Sequence, residues 1–353
     1  MDTSTANSTI LVTGATGFLG GEVVRQLRSQ GCRLRTTGRR TSSTSDLPGY
    51  RAADLCDREA LPDLVAGVDV VIHAAGLAHQ HRATMSQNAE FFRINAVGTE
   101  NVVRAAAAAG CRRIVLVSSV AVYGGGWPRK TEAAKCQPIG PYAESKMEAE
   151  CVAAEIAGAF CIELVVLRMA TLYGENDPGN VGRLLRAIER GRFVWLGRGE
   201  NRKSLVHVED AARACVLATC RQELPRDRTF NIASEPCRMC AVVSALHAAL
   251  GRRPPPLHVP PRMLQMAASL AGRIPGLALR AQRARDILDK WLSDEVYDAA
   301  LFRRESGWSP TVPLDEGLAR QVAAYRRSKR EQPAKSATSC RQIQSPSGVR
   351  TAA

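Results

Sequence analysis

The chain has no run of about 18 uncharged apolar residues, the minimum for a membrane-spanning helix. Its most apolar late stretch, Met263 to Leu279, is broken by Arg273 and Pro275. Aromatic residues are scarce, at 5% of 353 residues. No nucleic-acid-binding motif is present, so no nucleic-acid partner is expected. Acid is in deficit: Lys+Arg 48 against Asp+Glu 34 leaves a net charge of +14. The opening Met1–Thr9 is polar and lacks the basic, apolar pattern of a secretory leader, so a cytoplasmic location is expected. The cysteines do not form a disulfide framework. They number 11, an odd count, with Cys161 and Cys215 expected in the core, which suits a reducing compartment. Cys237 and Cys240 form a single CxxC with no second pair. His79 and His81 stand with no acid or cysteine beside them. No metal site is expected from either.

The apolar fraction is 45% and the charged fraction 23%, which are globular proportions. Residues 1–170 alternate β-rich runs with helical stretches. Strands are expected at Ile10–Thr13, Arg33–Thr37, Val68–His73, Arg113–Ser118 and Cys161–Arg168. Helices are expected at Gly20–Gln30, Asn88–Ala109 and Tyr142–Ala157. Such alternation implies parallel βαβ units. The expected fold is α/β, a Rossmann-type doubly wound parallel sheet with a smaller C-terminal substrate-binding lobe. The division places the dinucleotide domain mainly in 1–170 and the lobe mainly in 171–325, with some segments returning to the sheet. Residues 326–353 read as a basic, disordered tail: Arg326 to Arg350 holds seven basic residues and one acid.

Thr13-Gly14-Ala15-Thr16-Gly17-Phe18-Leu19-Gly20 follows the first strand and opens the first helix. Gly14 permits a tight turn, Gly17 admits a pyrophosphate against the backbone, and Gly20 lets helix and strand pack closely. The helix start then offers N–H groups and a favourable dipole to phosphate. The second strand ends at Gly38-Arg39-Arg40, where an NAD site usually carries an acid. Arg39 and Arg40 suit a 2′-phosphate, so the cofactor reads as NADP or NAD, leaning to NADP. Asp54 and Leu55 are candidates for the adenine end. The small residues Ala74, Ala75 and Gly76 leave room for cofactor backbone contacts, and His73 reads as a packed strand-end residue.

Tyr142-Ala143-Glu144-Ser145-Lys146 puts a phenol and an amine four apart, on one helical face. A tyrosine with a pKa near 10 is a weak base at neutral pH. A neighbouring ammonium favours its phenolate, and Lys146 can also hold the cofactor ribose. Ser118-Ser119 ends a buried strand, where parallel sheets place ligand sites.

With these motifs in place, the sequence resembles the extended short-chain dehydrogenase/reductase family, in its NAD-dependent epimerase/dehydratase group. The likeness runs from Ile10 to about Tyr325 and rests on TGATGFLG, HAAG, RINAVGT, VSSVAVYG, PYAESK, LRMATLYG, LVHVEDAARA and FNIAS. It implies that Ser119 orients the substrate, that Tyr142 is the acid/base, that Lys146 is its partner, and that Asn95 supports the site and the cofactor. It also implies a homodimer built on a helix bundle. Family dehydratases carry an acid pair after the strand-end hydroxyl. Here Val120 and Ala121 stand there, so 4,6-dehydration is disfavoured. The resemblance implies hydride chemistry at C4 of a nucleotide-linked sugar, by epimerisation or 4-keto reduction, as in surface-polysaccharide synthesis. Ser119, Val120, Thr171, Arg202 and Lys203 are the expected substrate residues, with Arg283 and Arg285 as further basic candidates. His207 and Asp210 read as a helix cap. Two alternatives stand. One is a 3β-hydroxysteroid- or flavonoid-type alcohol dehydrogenase, its apolar pocket lined by Met263, Leu264, Met266 and Leu270. The other is a non-catalytic NADP-sensing regulator.

Overall fold

The structure is a computed structural model that describes residues 8–39, 46–78, 85–125, 129–220, 228–274 and 277–341. Arg40, His79 and His81 lie outside the described residues. Seven strands form the main sheet: β1 (Thr9–Thr13), β2 (Arg33–Gly38), β3 (Tyr50–Ala52), β4 (Val70–His73), β5 (Arg113–Ser119), β6 (Glu163–Met169) and β7 (Arg228–Ile232). Their spatial order is β7-β6-β5-β4-β1-β2-β3, and every pairing is parallel. The chain starts in the middle, winds outward through β2 and β3, then returns across β1 to β4. The order reverses between β1 and β4, the crevice where doubly wound sheets bind ligands.

Strand period decides which residue faces which layer. Ile10 and Val12 point into one apolar cluster with helices Phe18–Ser29 and Val208–Cys220. Leu11, between them, enters the opposite cluster with helices Gly98–Ala108 and Pro141–Phe160. A sheet buried on both faces reads as continuous apolar runs, as RIVLV does here. A third cluster builds the lobe from Leu184, Leu185, Trp195, Val243, Leu246 and Val322.

Three expectations change. The expected Asn88–Ala109 helix is three segments: α-helix Met85–Phe92, a π-turn at Arg93–Val97, and α-helix Gly98–Ala108. Cys161 is exposed rather than core; it closes the Pro141–Phe160 helix in the left-handed region, at φ 56°. The final helix spans Leu314–Arg341, so the first part of the segment expected as a disordered tail is helical. Residues 342–353 lie outside the described residues.

Candidate active site

The glycine loop is shaped by contacts that exclude a side chain. Gly14 has φ +68°, and a Cβ there would stand 2.7 Å from the Ala75 nitrogen. A Cβ on Gly20 would stand 2.2 Å from the Gly14 carbonyl oxygen. The loop therefore presses on Ala74 and Ala75 from one side and on its own helix from the other. Gly17 caps that helix without a side-chain hydrogen bond, and the first turn holds no acid. The helix start, with Phe18 and Leu19 in its first turn, presents its positive end unblocked by any side-chain cap. These features fit a dinucleotide pyrophosphate. Thr16 lies against the end of β2: a Cβ on Gly38 would stand 2.8 Å from Thr16 Oγ1. Arg39 follows, exposed.

A directed hydrogen-bond chain ties the loop to the catalytic side. Ala75 N–H donates to Thr13 Oγ1 at 3.2 Å. Thr13 Oγ1 and His73 Nδ1 are 2.8 Å apart, and His73 Nε2 is 2.9 Å from Thr99 Oγ1. Thr99 donates to the Asn95 carbonyl at 2.5 Å. Because Thr99 spends its proton on Asn95, it accepts from His73 Nε2–H. His73 Nδ1 then accepts from Thr13. Burial and the Lys146 charge hold the imidazole at a pKa of about 3, so it is neutral and structural.

Asn95 sits in the π-turn, a distortion that re-aims a side chain. Its Oδ1 accepts from Leu77 N–H at 2.7 Å, and its Nδ2 donates to the Leu77 carbonyl at 3.1 Å and to Ser145 Oγ at 3.0 Å. Ser145 donates to the Tyr142 carbonyl at 2.9 Å. Asn95 thus joins the Gly76–Leu77 turn to the first turn of the Tyr142 helix.

Gly140 and Pro141 start that helix. Tyr142 is partly exposed, packed edge-on to Phe91 at 5.9 Å between ring centres. Burial raises the phenol pKa, and the neighbouring Ser119 hydroxyl opposes that rise. Ser119 Oγ also accepts from Ala121 N–H at 3.1 Å, which fixes its rotamer. Lys146 is buried, and its Nζ donates to the Val117 carbonyl at 2.6 Å. Burial lowers its pKa to about 8, against the Glu150 carboxylate, which raises it. A Cβ on Gly76 would stand 3.8 Å from Lys146 Nζ, which places the amine under the Ala74–Gly76 turn.

Glu150, which the sequence reading missed, lies four residues past Lys146 on the same helix. It pairs with Arg168 at 2.6 Å, and both side chains are buried. Ser118 donates to the same carboxylate, and Arg168 stacks over Tyr123 at 4.8 Å. The Tyr142, Lys146, Glu150 spacing was the available signal.

The substrate candidates divide. Val120 is buried, and Thr171 begins two residues beyond the β6 position that pairs with Ser119, so both emerge at the same sheet end. Arg202 and Lys203 are held elsewhere. Arg202 pairs with Asp294 at 3.5 Å; Lys203 is buried and bonds the Lys290 carbonyl at 2.7 Å and Glu295 at 3.1 Å. The phosphate role expected for them meets internal partners instead. At the adenine end, Asp54 receives Cys56 N–H at 3.0 Å and faces Arg93 at 3.5 Å. The Leu55 carbonyl accepts from Asn101 at 3.1 Å. Asp210 is not a helix cap. It is fully buried and accepts from Thr311 N–H at 2.9 Å and Val312 N–H at 3.1 Å, pinning a distant segment.

Residues 10–233 match the NAD dependent epimerase/dehydratase family. The chain belongs to that family. Among curated relatives, an N-acetyl-alpha-D-glucosaminyl-diphospho-ditrans,octacis-undecaprenol 4-epimerase of Escherichia coli O157:H7 is 27% identical, covering 90% of this chain and 95% of its own length. The human decarboxylating sterol-4-alpha-carboxylate 3-dehydrogenase is 26% identical over 90% of this chain and 88% of its own. Among solved structures, MoeE5 in complex with UDP-glucose and NAD superposes with a TM-score of 0.70. It is 28% identical and covers 91% of this chain and 99% of its own. Over about nine tenths of its length the chain is thus similar to proteins whose names carry different substrates.

Proposed function

We propose that the protein is an NAD(P)-dependent oxidoreductase acting at C4 of a nucleotide-linked sugar, as a 4-epimerase or a 4-keto reductase. The observation that carries this reading is buried Lys146, one helical turn past Tyr142, with its Nζ beside the Ala74–Gly76 turn and bonded to the Val117 carbonyl of the strand that ends at Ser119. When bound, the nicotinamide accepts or returns hydride. Ser119 holds the reacting sugar oxygen. As the phenolate, Tyr142 takes the proton from that oxygen during oxidation, and the resulting phenol returns it during reduction. Lys146 supplies positive charge close by, and Asn95 keeps the helix and the cofactor turn in register. Val120 and Ala121 cannot move a proton, which argues against dehydration.

The run after β2 holds no carboxylate before Asp46, which supports NADP as the preferred cofactor, with Arg39 toward its 2′-phosphate. Phe92 and Val97 are large, exposed apolar residues on the Met85–Ala108 helices, and they support a helix-bundle homodimer. A cytoplasmic role in polysaccharide synthesis accords with such a substrate.

The test is an assay of hydride transfer and epimerisation with UDP-hexoses and both dinucleotides. Tyr142→Phe should lower kcat by roughly 10²–10⁴-fold while leaving dinucleotide affinity intact. A second reading, an alcohol dehydrogenase for an apolar substrate, draws on the sterol-dehydrogenase relative and on the internal pairing of Arg202 and Lys203. Thermal shifts with sterols and none with UDP-sugars would transfer the assignment to it.

A further inference from the structure

Helix Pro261–Ala271 has one buried residue, Ala268, with Leu264 half-buried a turn before it. That side packs on helix Ala278–Leu292 to make a helical hairpin on the lobe. A helix with one packed face would be polar elsewhere. This one is not. Met263, Met266 and Leu270 are 62%, 66% and 59% exposed, and Ile274, in the turn beyond, is 52% exposed. Their spacing of three and four residues makes one continuous stripe, turned away from the Ala268 side. Leu257, at 70% exposure, precedes the same helix. The stripe therefore stands open to solvent, where a pocket lining was expected for Met263, Met266 and Leu270.

Along the chain, the charge through this segment is one-sided up to Asp286. From Arg252 to Arg285 the chain carries seven arginines and no carboxylate. Arg262 and Arg273 are exposed and flank the stripe along the helix. A second copy of this chain would bring the same positive charge to the contact. A surface bearing negative charge and an apolar layer beneath it satisfies both features at once.

We propose that the Pro261–Ala271 hairpin docks the protein on an anionic lipid bilayer. Met263, Met266, Leu270 and Ile274 enter the headgroup–acyl boundary, and the flanking arginines meet lipid phosphates. The contact is interfacial, since no described helix is long and apolar enough to cross a membrane. This binding does not rest on the function proposed above.

The test is co-sedimentation of the full chain with phosphatidylcholine vesicles, with and without phosphatidylglycerol. The expected result is partition onto the phosphatidylglycerol vesicles that weakens as salt rises. Met266→Glu with Leu270→Glu should reduce that partition at least ~10-fold, and Arg262→Glu with Arg273→Glu should also reduce it. All four side chains are exposed, and an unchanged circular dichroism spectrum and Tm verify folding. No partition onto either vesicle, or partition that both variants leave unchanged, overturns the proposal. So does light scattering in which the apolar substitutions split a wild-type oligomer, because the stripe then belongs to a second copy.

Discussion

Arg39 shows how much one side chain can decide. It stands exposed just past β2, beyond Gly38, whose missing Cβ makes room for Thr16. A guanidinium there pairs with a ribose 2′-phosphate, whereas a carboxylate would accept from the 2′-hydroxyl. Arg39→Asp should weaken NADP binding at least ~10-fold, the scale of one lost charge-assisted contact, and keep or improve NAD binding. Titration of both dinucleotides by fluorescence checks this, and equal losses for the two would remove Arg39 from the ribose. Tyr142 shows the converse, a residue whose chemistry depends on its surroundings. Burial makes it a weaker acid than a free phenol, and Ser119 is the group that offsets this. A bound nicotinium would add positive charge at the moment the proton must leave.

The Pro141–Phe160 helix gathers its ionisable candidates on one face. Tyr142, Lys146 and Glu150 are spaced four apart, so the phenol, the ammonium and a buried carboxylate follow one another. Glu150 raises the pKa of Lys146 while burial lowers it to about 8. Loss of the ammonium above that pH should form the upper limb of the pH–rate profile. Glu150→Gln removes the opposing carboxylate and leaves the Arg168 charge unbalanced nearby. The upper limb should therefore move to lower pH, measured as kcat against pH with the dinucleotide saturating. Breaking the buried Glu150–Arg168 pair should also cost about 3–5 kcal/mol of stability. A Tm drop with an unmoved limb would leave Glu150 structural. The π-turn at Arg93–Val97 is the second element whose irregularity matters, since it aims Asn95 at both Leu77 and Ser145.

Across the molecule, the sheet supplies the cofactor crevice, and the C-terminal part is held together by contacts between distant segments. Lys203 is one such tie. It joins the Arg202–Lys203 strand to Lys290 and Glu295, and burial lowers its pKa while Glu295 raises it. Lys203→Met should lower Tm, with a loss of about 1–3 kcal/mol, and change sugar-nucleotide KM little. A large rise in KM at unchanged Tm would return Lys203 to the substrate phosphates. Asp210 makes a comparable tie to Thr311 and Val312.

The glycine loop and the Tyr142–Lys146 pair were legible in the primary structure for a local reason. Positive φ and close backbone approach exclude side chains, and a four-residue spacing fixes a shared helical face wherever the helix sits. The strand–helix alternation that named the fold is local in the same sense. Arg168 and Glu150 lie on different elements, Lys203 meets a segment about ninety residues away, and the Met263–Ile274 stripe could have packed inward. Nothing in the order of residues states whether a buried charge finds its partner or an apolar face finds cover. Those outcomes depend on which distant segments fold together, because desolvation and pairing are properties of neighbours in space.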